Sequence, residues 1–387
     1  MFEVKTINNI SETGIEYLIK KGFTVNPESA RPDAILVRSE NLHDTVFNSE
    51  LLAIARAGSG YNNIPVEECA ENGIVVFNSP GANAEAVKEL ELCSLVMASR
   101  DVIGSIEWVR SIAGEGDAIT KLVEKNKGGF SGPELMGKTI GVLGLGAVGA
   151  LVANAAVDLD MEVRGYDPFM SVDAAWRLSR SVIRSDTLDD VLACSDYLSL
   201  NVPYNDETYH MISDAEFARM KTGVRIINES RAEVVDDDAM LRALKSGKVA
   251  KYVTDFPNSK LIGAPNVIAM PHLGACTPES EERCAYMAAA QIYDYLMNGN
   301  IKNSVNLPDA SLNRMGVCRL CVIHRNVPRM ITGILDFISN RNINVEHMIN
   351  KPREKYAYTI VDLSERIDEE TAESISAMDD VLRVRVL

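Results

Sequence analysis

Short apolar runs closed by turn residues alternate with longer helix-period segments along most of the chain, and the rhythm changes near its end. The opening region predicts strands at 34–39, 51–58 and 74–78, and 85–100 predicts a long helix without a breaker. Strands are then predicted at 139–143, 162–166, 197–200, 224–228, 251–255 and 267–269, with helical stretches between them. That alternation is the signature of a parallel, doubly wound sheet with helices on both faces. A helix over 277–298 opens on Thr277-Pro278-Glu279-Ser280, a capping start with Pro near the first turn. A polar, breaker-containing connector around 299–308 follows. Beyond it the order becomes strand 317–323, helix 329–340, strands 343–350 and 357–363, helix 368–377 and strand 381–387. This β-α-β-β-α-β order predicts a small ferredoxin-like unit.

At 387 residues, two or three domains are expected. Apolar residues at 46% and charged residues at 24% describe a soluble globular chain, and no apolar run reaches membrane-span length. The seven cysteines are scattered, which suits reduced thiols and a cytoplasmic location. Cys318 and Cys321 lie at a spacing that puts strand side chains on opposite faces, so no metal site is predicted there. A net charge of −16 argues against nucleic acid or an anionic membrane as partner. It also means that an anionic substrate needs a local positive site.

One stretch carries specific chemistry. The strand 139–143 runs into Gly144-Leu145-Gly146-Ala147-Val148-Gly149 and then into a helix. In such a turn Gly144 makes the tight bend, Gly146 lets the backbone approach a pyrophosphate, and Gly149 allows close helix–strand packing. The helix-start amides, Ala147 and Val148 among them, face the phosphates. Asp167 ends the next strand where a ribose-binding carboxylate belongs, and it would repel a 2′-phosphate, so NAD is favoured over NADP. Two further strand ends look catalytic. Arg231, in Asn228-Glu229-Ser230-Arg231, offers a planar fork for a carboxylate. His272, in Pro271-His272-Leu273-Gly274, suits exchange of a hydroxyl proton near neutral pH.

These motifs resemble those of the D-isomer-specific 2-hydroxyacid dehydrogenases. Residues 57–63, 78–83, Val202-Pro203 and Thr254-Asp255-Phe256 extend the likeness over essentially the whole chain. Within that family it looks like the branch that ends in an ACT domain and oxidises 3-phospho-D-glycerate at the entry to serine biosynthesis. The resemblance implies three parts: a discontinuous flavodoxin-like substrate domain (1–86 and 278–303), a Rossmann NAD domain (87–277), and an ACT domain (317–387) after a linker (304–316). It makes Arg231 the carboxylate clamp and His272 the acid–base group, with Asp255 and Gly274 near the nicotinamide and Pro203 on the nucleotide. Arg38, Ser39, Arg56, Ser59, Gly60 and Asn83 match positions that meet the phosphorylated substrate. His324, Asn326 and Asn344 match positions that bind L-serine as an effector, in an arrangement that implies a dimer or tetramer.

The chain departs from the family twice. The family's Glu that pairs with the catalytic His is missing: 255–261 reads Asp-Phe-Pro-Asn-Ser-Lys-Leu and no acid follows before His272. An acid from elsewhere, an unassisted His, or lost catalysis are the three explanations. Arg329 stands where many ACT domains place Gly. Two other readings stay open: a dehydrogenase for an unphosphorylated 2-hydroxyacid, and a catalytically weak NAD-binding regulator.

Overall fold

Three sheets organise the chain in a computed structural model that describes residues 1–387, the side chain of Asp173 excepted. The first contains β1 (Glu3–Ile7), β2 (Thr24–Val25), β3 (Ala34–Val37), β4 (Ala53–Arg56) and β5 (Val75–Phe77). All are parallel, in the order β2-β1-β3-β4-β5. That is the flavodoxin-like order expected from the sequence. The three strands β3 to β5 are buried on both faces, Arg56 alone being partly open, which is why they read as unbroken apolar runs.

The second sheet holds β6 (Thr139–Leu143), β7 (Glu162–Tyr166), β8 (Ile183–Arg184), β9 (Tyr197–Leu200), β10 (Val224–Asn228), β11 (Val249–Thr254) and β12 (Val267–Ala269). Its order is β12-β11-β10-β9-β6-β7-β8, again all parallel. The strand order, not the strand direction, reverses between β6 and β9, so the crevice of a Rossmann sheet opens at the glycine turn after β6. The helix Ala84–Ser99 lies on this sheet, burying Leu95 and Ala98 with Ile140, Val142, Ile227 and Val253.

The third sheet, β13 (Cys318–Arg325), β14 (Val345–Arg353), β15 (Tyr356–Leu363) and β16 (Val381–Val386), is antiparallel in the order β14-β15-β13-β16. The helices Met330–Ser339 and Glu369–Ser376 cover one face, packing Ile334, Ile338 and Ile375 on Cys318, Leu320 and Val322. The other face puts Cys321, Ile323, Tyr358 and Ile360 into the core of the first sheet, with Tyr295 and Leu296 of the helix Pro278–Asn298. Cys318 and Cys321 therefore face opposite ways as alternation requires, and both are free thiols.

The chain accordingly divides into two units rather than three: Met1–Asn83 with Pro278–Leu387, and Ala84–Thr277. Polar ties join the third sheet to the first unit's long helix. Arg319, fully buried, forks onto Asp362 at 2.6 and 2.8 Å and donates to Asn298 O. Arg385 donates to the carbonyls of Tyr295 and Leu296, and Tyr358 Oη to Gly299 O at 2.6 Å. The expected linker 304–316 is not a free tether. Leu307, Ala310 and Leu312 are buried, and Asn306 accepts from Val76 N and donates to Ile74 O. Among the described residues, no helix is long and apolar enough to cross a membrane.

Candidate active site

In the unit Ala84–Thr277, the strand β6 ends at Gly144, whose φ is +83° and whose neighbour is the Asn201 carbonyl. A Cβ there would lie 2.5 Å from that oxygen. A Cβ at Gly149 would overlap the Gly144 carbonyl itself, so the helix Ala147–Asp158 sits directly against the turn. Nothing lies within 4 Å of the place a Cβ would take at Gly146, which caps that helix without a side-chain bond to its amides. The first amides of the helix thus face open space, the arrangement that receives a pyrophosphate. Asp167 is set beside them: Oδ2 accepts from Leu145 N at 2.8 Å and Oδ1 from Phe169 N at 2.9 Å. Those bonds fix the carboxylate's orientation at the end of β7. Pro203 follows β9, and its carbonyl is held by Thr208 Oγ1 at 2.6 Å. The residues present fit a dinucleotide.

Three adjacent strands of this unit deliver the chemistry-bearing residues. After β10, Asn228 ties the turn together, its Nδ2 donating to Arg231 O and its Oδ1 accepting from Ser230 N and Oγ. Arg231 is exposed in extended backbone, and its guanidinium makes one bond, from Nη1 to Ser230 O at 2.6 Å. After β11, Asp255 is 1% exposed; its Oδ2 accepts from Gly274 N at 3.0 Å, while Oδ1 has no partner. After β12, His272 adopts φ +37°, a conformation that L-residues rarely take. Its amide donates to Asp255 O at 2.8 Å, and its ring leans on Phe256 with centroids 4.9 Å apart. Among the described residues, no side chain bonds or pairs with the His272 imidazole. The gap noted in the sequence is real in the geometry.

The sequence reading missed a group of buried acids behind these strand ends. Glu91, on the helix Ala84–Ser99, is 1% exposed and accepts from Ser199 Oγ at 2.6 Å. Glu229, 7% exposed, accepts from Ser94 Oγ at 2.5 Å. Glu91 Oε1 and Glu229 Oε2, like Asp255 Oδ1, lack partners. Burial pushes Glu91 up to about 8, against the pull of its hydrogen bonds. Burial, reinforced by the charge of Glu91, pushes Glu229 up to about 9. Asp255 is raised by burial too, opposed by the Gly274 amide and the charges of His272 and Arg231. Both glutamates therefore hold protons at neutral pH, as two carboxyls buried together must. A signal was present: Glu229 stands inside the very tetrapeptide singled out for Arg231.

In the first unit, Arg38 follows β3 and Arg56 ends the neighbouring β4, and Arg56 Nε donates to Arg38 O at 2.9 Å. Arg38 pairs with Glu281 at 2.6 Å, a partner the sequence reading did not foresee. Ser59 Oγ donates to Asn83 Oδ1 at 2.8 Å, and Asn78 Nδ2 to Ser59 O at 2.6 Å, which gathers Ser59, Gly60 and Asn83 at one loop. Ser39 is exposed, with its amide held by Asn8.

The expected effector residues divide. His324 is 2% exposed with both ring nitrogens engaged, Nδ1 with Arg325 O and Nε2 with Thr359 Oγ1. Burial lowers its pKa, so it is a neutral core histidine, and the expectation that it contacts an effector is corrected. Asn326 and Asn344 are exposed, Asn326 donating to Glu354 O and Asn344 to Glu346 Oε1. Arg329 takes φ +72° at the start of the helix Met330–Ser339, which accounts for the preference for Gly at such a turn.

Comparison with known proteins fits this geometry. Residues 94–274 match the family "D-isomer specific 2-hydroxyacid dehydrogenase, NAD binding domain". Its cofactor is NAD. Among relatives, the D-3-phosphoglycerate dehydrogenase of Archaeoglobus fulgidus is 33% identical over 77% of this chain and 58% of its own length. D-3-phosphoglycerate dehydrogenase 1 of Saccharomyces cerevisiae is 28% identical over 94% of this chain and 82% of its own. The chain thus spans little more than half of the first relative and most of the second. The crystal structure of NAD+-bound 3-phosphoglycerate dehydrogenase from Entamoeba histolytica, 25% identical, superposes with a TM-score of 0.61 over 79% of this chain and 98% of that one.

Proposed function

We propose that the protein is an NAD-dependent dehydrogenase of 3-phospho-D-glycerate, interconverting it with 3-phosphohydroxypyruvate. The observation that carries this reading is the convergence on three adjacent strand ends of an unpaired guanidinium, an unpaired imidazole and an oriented carboxylate beside a dinucleotide cradle. Gly144, Gly146, Ala147, Val148, Gly149 and Asp167 would hold NAD, with Pro203, Asp255 and Gly274 toward its other parts. When bound, NAD supplies a hydride acceptor at the nicotinamide ring.

The chain's own residues supply the rest. Arg231 engages the substrate carboxylate with a planar fork that no protein carboxylate competes for. His272 takes the hydroxyl proton in one direction and returns it in the other. The orphaned Asp255 Oδ1 is an acceptor waiting for a donor, as a nicotinamide carboxamide would be. Arg38, Ser39, Arg56, Ser59, Gly60 and Asn83 are the proposed phosphate-binding set; two guanidiniums at neighbouring strand ends provide the local positive site that a chain of net charge −16 requires. The neutral state of Glu91 and Glu229 serves the same end, since two more negative charges behind the strand ends would weaken the hold on an anion.

The third sheet is proposed as an ACT-type regulatory unit, supported by its β-α-β-β-α-β order, with Asn326 and Asn344 as the remaining effector candidates and a homo-oligomer as the working assembly. Purified protein should oxidise NADH when given 3-phosphohydroxypyruvate, and His272→Asn should abolish turnover while NADH still binds. Turnover within a few-fold of the parent in His272→Asn would remove His272 from its role. NADH binding without turnover in the parent would favour the non-catalytic regulator.

A further inference from the structure

A cavity with charges of both signs lies wholly within the first unit and is lined by none of the residues assigned above. It measures about 480 Å³, within the range of small-molecule sites. The loop 43–49, Glu68, Asn72, Ile74 and Arg383 of β16 line it. Arg383 is fastened in place: Nη2 donates to Ser49 O at 3.1 Å and to Asn72 O at 2.9 Å. Its stem crosses Gly73, where a Cβ would come within 2.7 Å of the Arg383 Cβ, so only glycine allows that close approach. Nε is buried without an acceptor, and Nη1 makes no bond within the described chain.

No carboxylate pairs with this guanidinium among the described residues. The contrast with β13 is direct, since Arg325 pairs there with Glu71 and Asp380. Burial works against the charge of Arg383, which makes a missing counter-ion costly. Yet two carboxylates, Asp44 and Glu68, line the same cavity and are themselves without ion pairs among the described residues. A cavity lined by one cation and two anions, none of them in an ion pair among the described residues, suits neither a simple anion nor a simple cation. It suits a ligand that carries both charges. Phe47 and Ile74 add apolar wall for a short side chain.

We propose that this cavity binds a small α-amino acid, its carboxylate on Arg383 and its ammonium between Asp44 and Glu68. The bound ligand would tie β16 of the third sheet to the loop 43–49 of the first-sheet domain. The site is separate from Asn326 and Asn344 and does not depend on the proposed reaction.

The test is thermal denaturation and titration calorimetry of the full chain with glycine, L-alanine and L-serine. N-acetylglycine, which lacks the ammonium, and glycinamide, which lacks the carboxylate, serve as controls. A millimolar amino acid should raise the melting temperature by several degrees, and neither control should. Arg383→Gln and the double variant Asp44→Asn/Glu68→Gln should each weaken binding at least ten-fold; the double variant carries the test if Arg383→Gln folds poorly. The proposal is overturned if no amino acid binds or if a control binds equally well. It is also overturned if binding survives in the double variant, or is lost in Asn344→Ala while Arg383→Gln keeps it.

Discussion

Two turns in this protein do the same mechanical job with different residues. After β6 the chain bends from strand into helix through Gly144, at φ +83°, and the turn closes on Gly149. After β13 the chain also passes from strand into helix, and here Arg329 takes φ +72° immediately before Met330. The first turn meets each conformational demand with the residue that has no Cβ. The second forces a long side chain into the left-handed region, at about 1–2 kcal/mol. The difference separates a turn whose backbone is proposed to lie bare against a nucleotide from one whose backbone geometry alone is needed. Only the first leaves a readable pattern of glycines.

The comparison is broken most severely inside the first turn, where its glycines are not equivalent. Gly149→Ala sets a methyl group onto the Gly144 carbonyl, which neither helix nor turn can relieve without moving apart. The expected cost is about 3 kcal/mol or more, with loss of NADH binding. Gly146→Ala meets no protein atom, so it should melt within a degree or two of the parent and yet bind NADH at least ten-fold more weakly. Thermal denaturation with fluorescence titration of NADH separates the two. Equal stability losses in both variants would mean that Gly146 is kept for packing and not for the phosphates.

The end of β10 extends the same contrast from backbone strain to buried charge. Glu229 keeps its proton to about pH 9 in the folded protein because it is buried beside Glu91, whereas an unfolded chain gives it up near 4.5. Between those values the folded state binds more protons than the unfolded one, so stability falls as pH rises across that window. Glu229→Gln removes the titration and keeps an acceptor for Ser94. The variant should be more stable than the parent on the order of 2 kcal/mol at pH 7, with the gap closing toward pH 4 and widening toward pH 9. Urea denaturation at several pH values measures it. A gap that does not change with pH would show that Glu229 is not buried as a neutral acid.

Legibility in the sequence followed how local each constraint was. Five strands of the second sheet, β6, β7, β9, β10 and β12, fall where the apolar runs place them to the residue; β6, β9 and β10 are buried almost throughout, which leaves few polar positions to blur their ends. The two-residue strands β2 and β8 bury too little to leave such a run. The helices Val102–Ser111 and Ile119–Asn126 were not foreseen: neither has a buried residue, so no apolar core stripe marks them. Arg231, His272 and Asp255 were legible because motif chemistry is written in consecutive residues. The Glu91–Glu229 pairing and the Arg38–Glu281 bridge join residues far apart in the chain, and their charges look like ordinary surface charges until the fold brings them in. His324 misled for the opposite reason: a polar residue next to a turn reads as open, but β13 is covered on both faces and buries it.

The smallest expected effect sharpens the comparison of the two turns most directly. Arg329 makes no side-chain capping bond at the helix it precedes, so a replacement there loses little besides strain. Arg329→Gly gives the turn the residue its φ of +72° favours. It also adds freedom to the unfolded chain, which offsets part of the gain. The net expectation is a stabilisation of about 0.5–1 kcal/mol, read by chemical denaturation of the full chain. Arg329→Ala is the control: it discards the guanidinium while keeping the Cβ, and should leave stability within about 0.5 kcal/mol of the parent. Should the alanine variant lose as much as the glycine variant gains, Arg329 is held at that turn by a contact of its side chain, and the strain is the cost of that contact and not an idle feature of the fold.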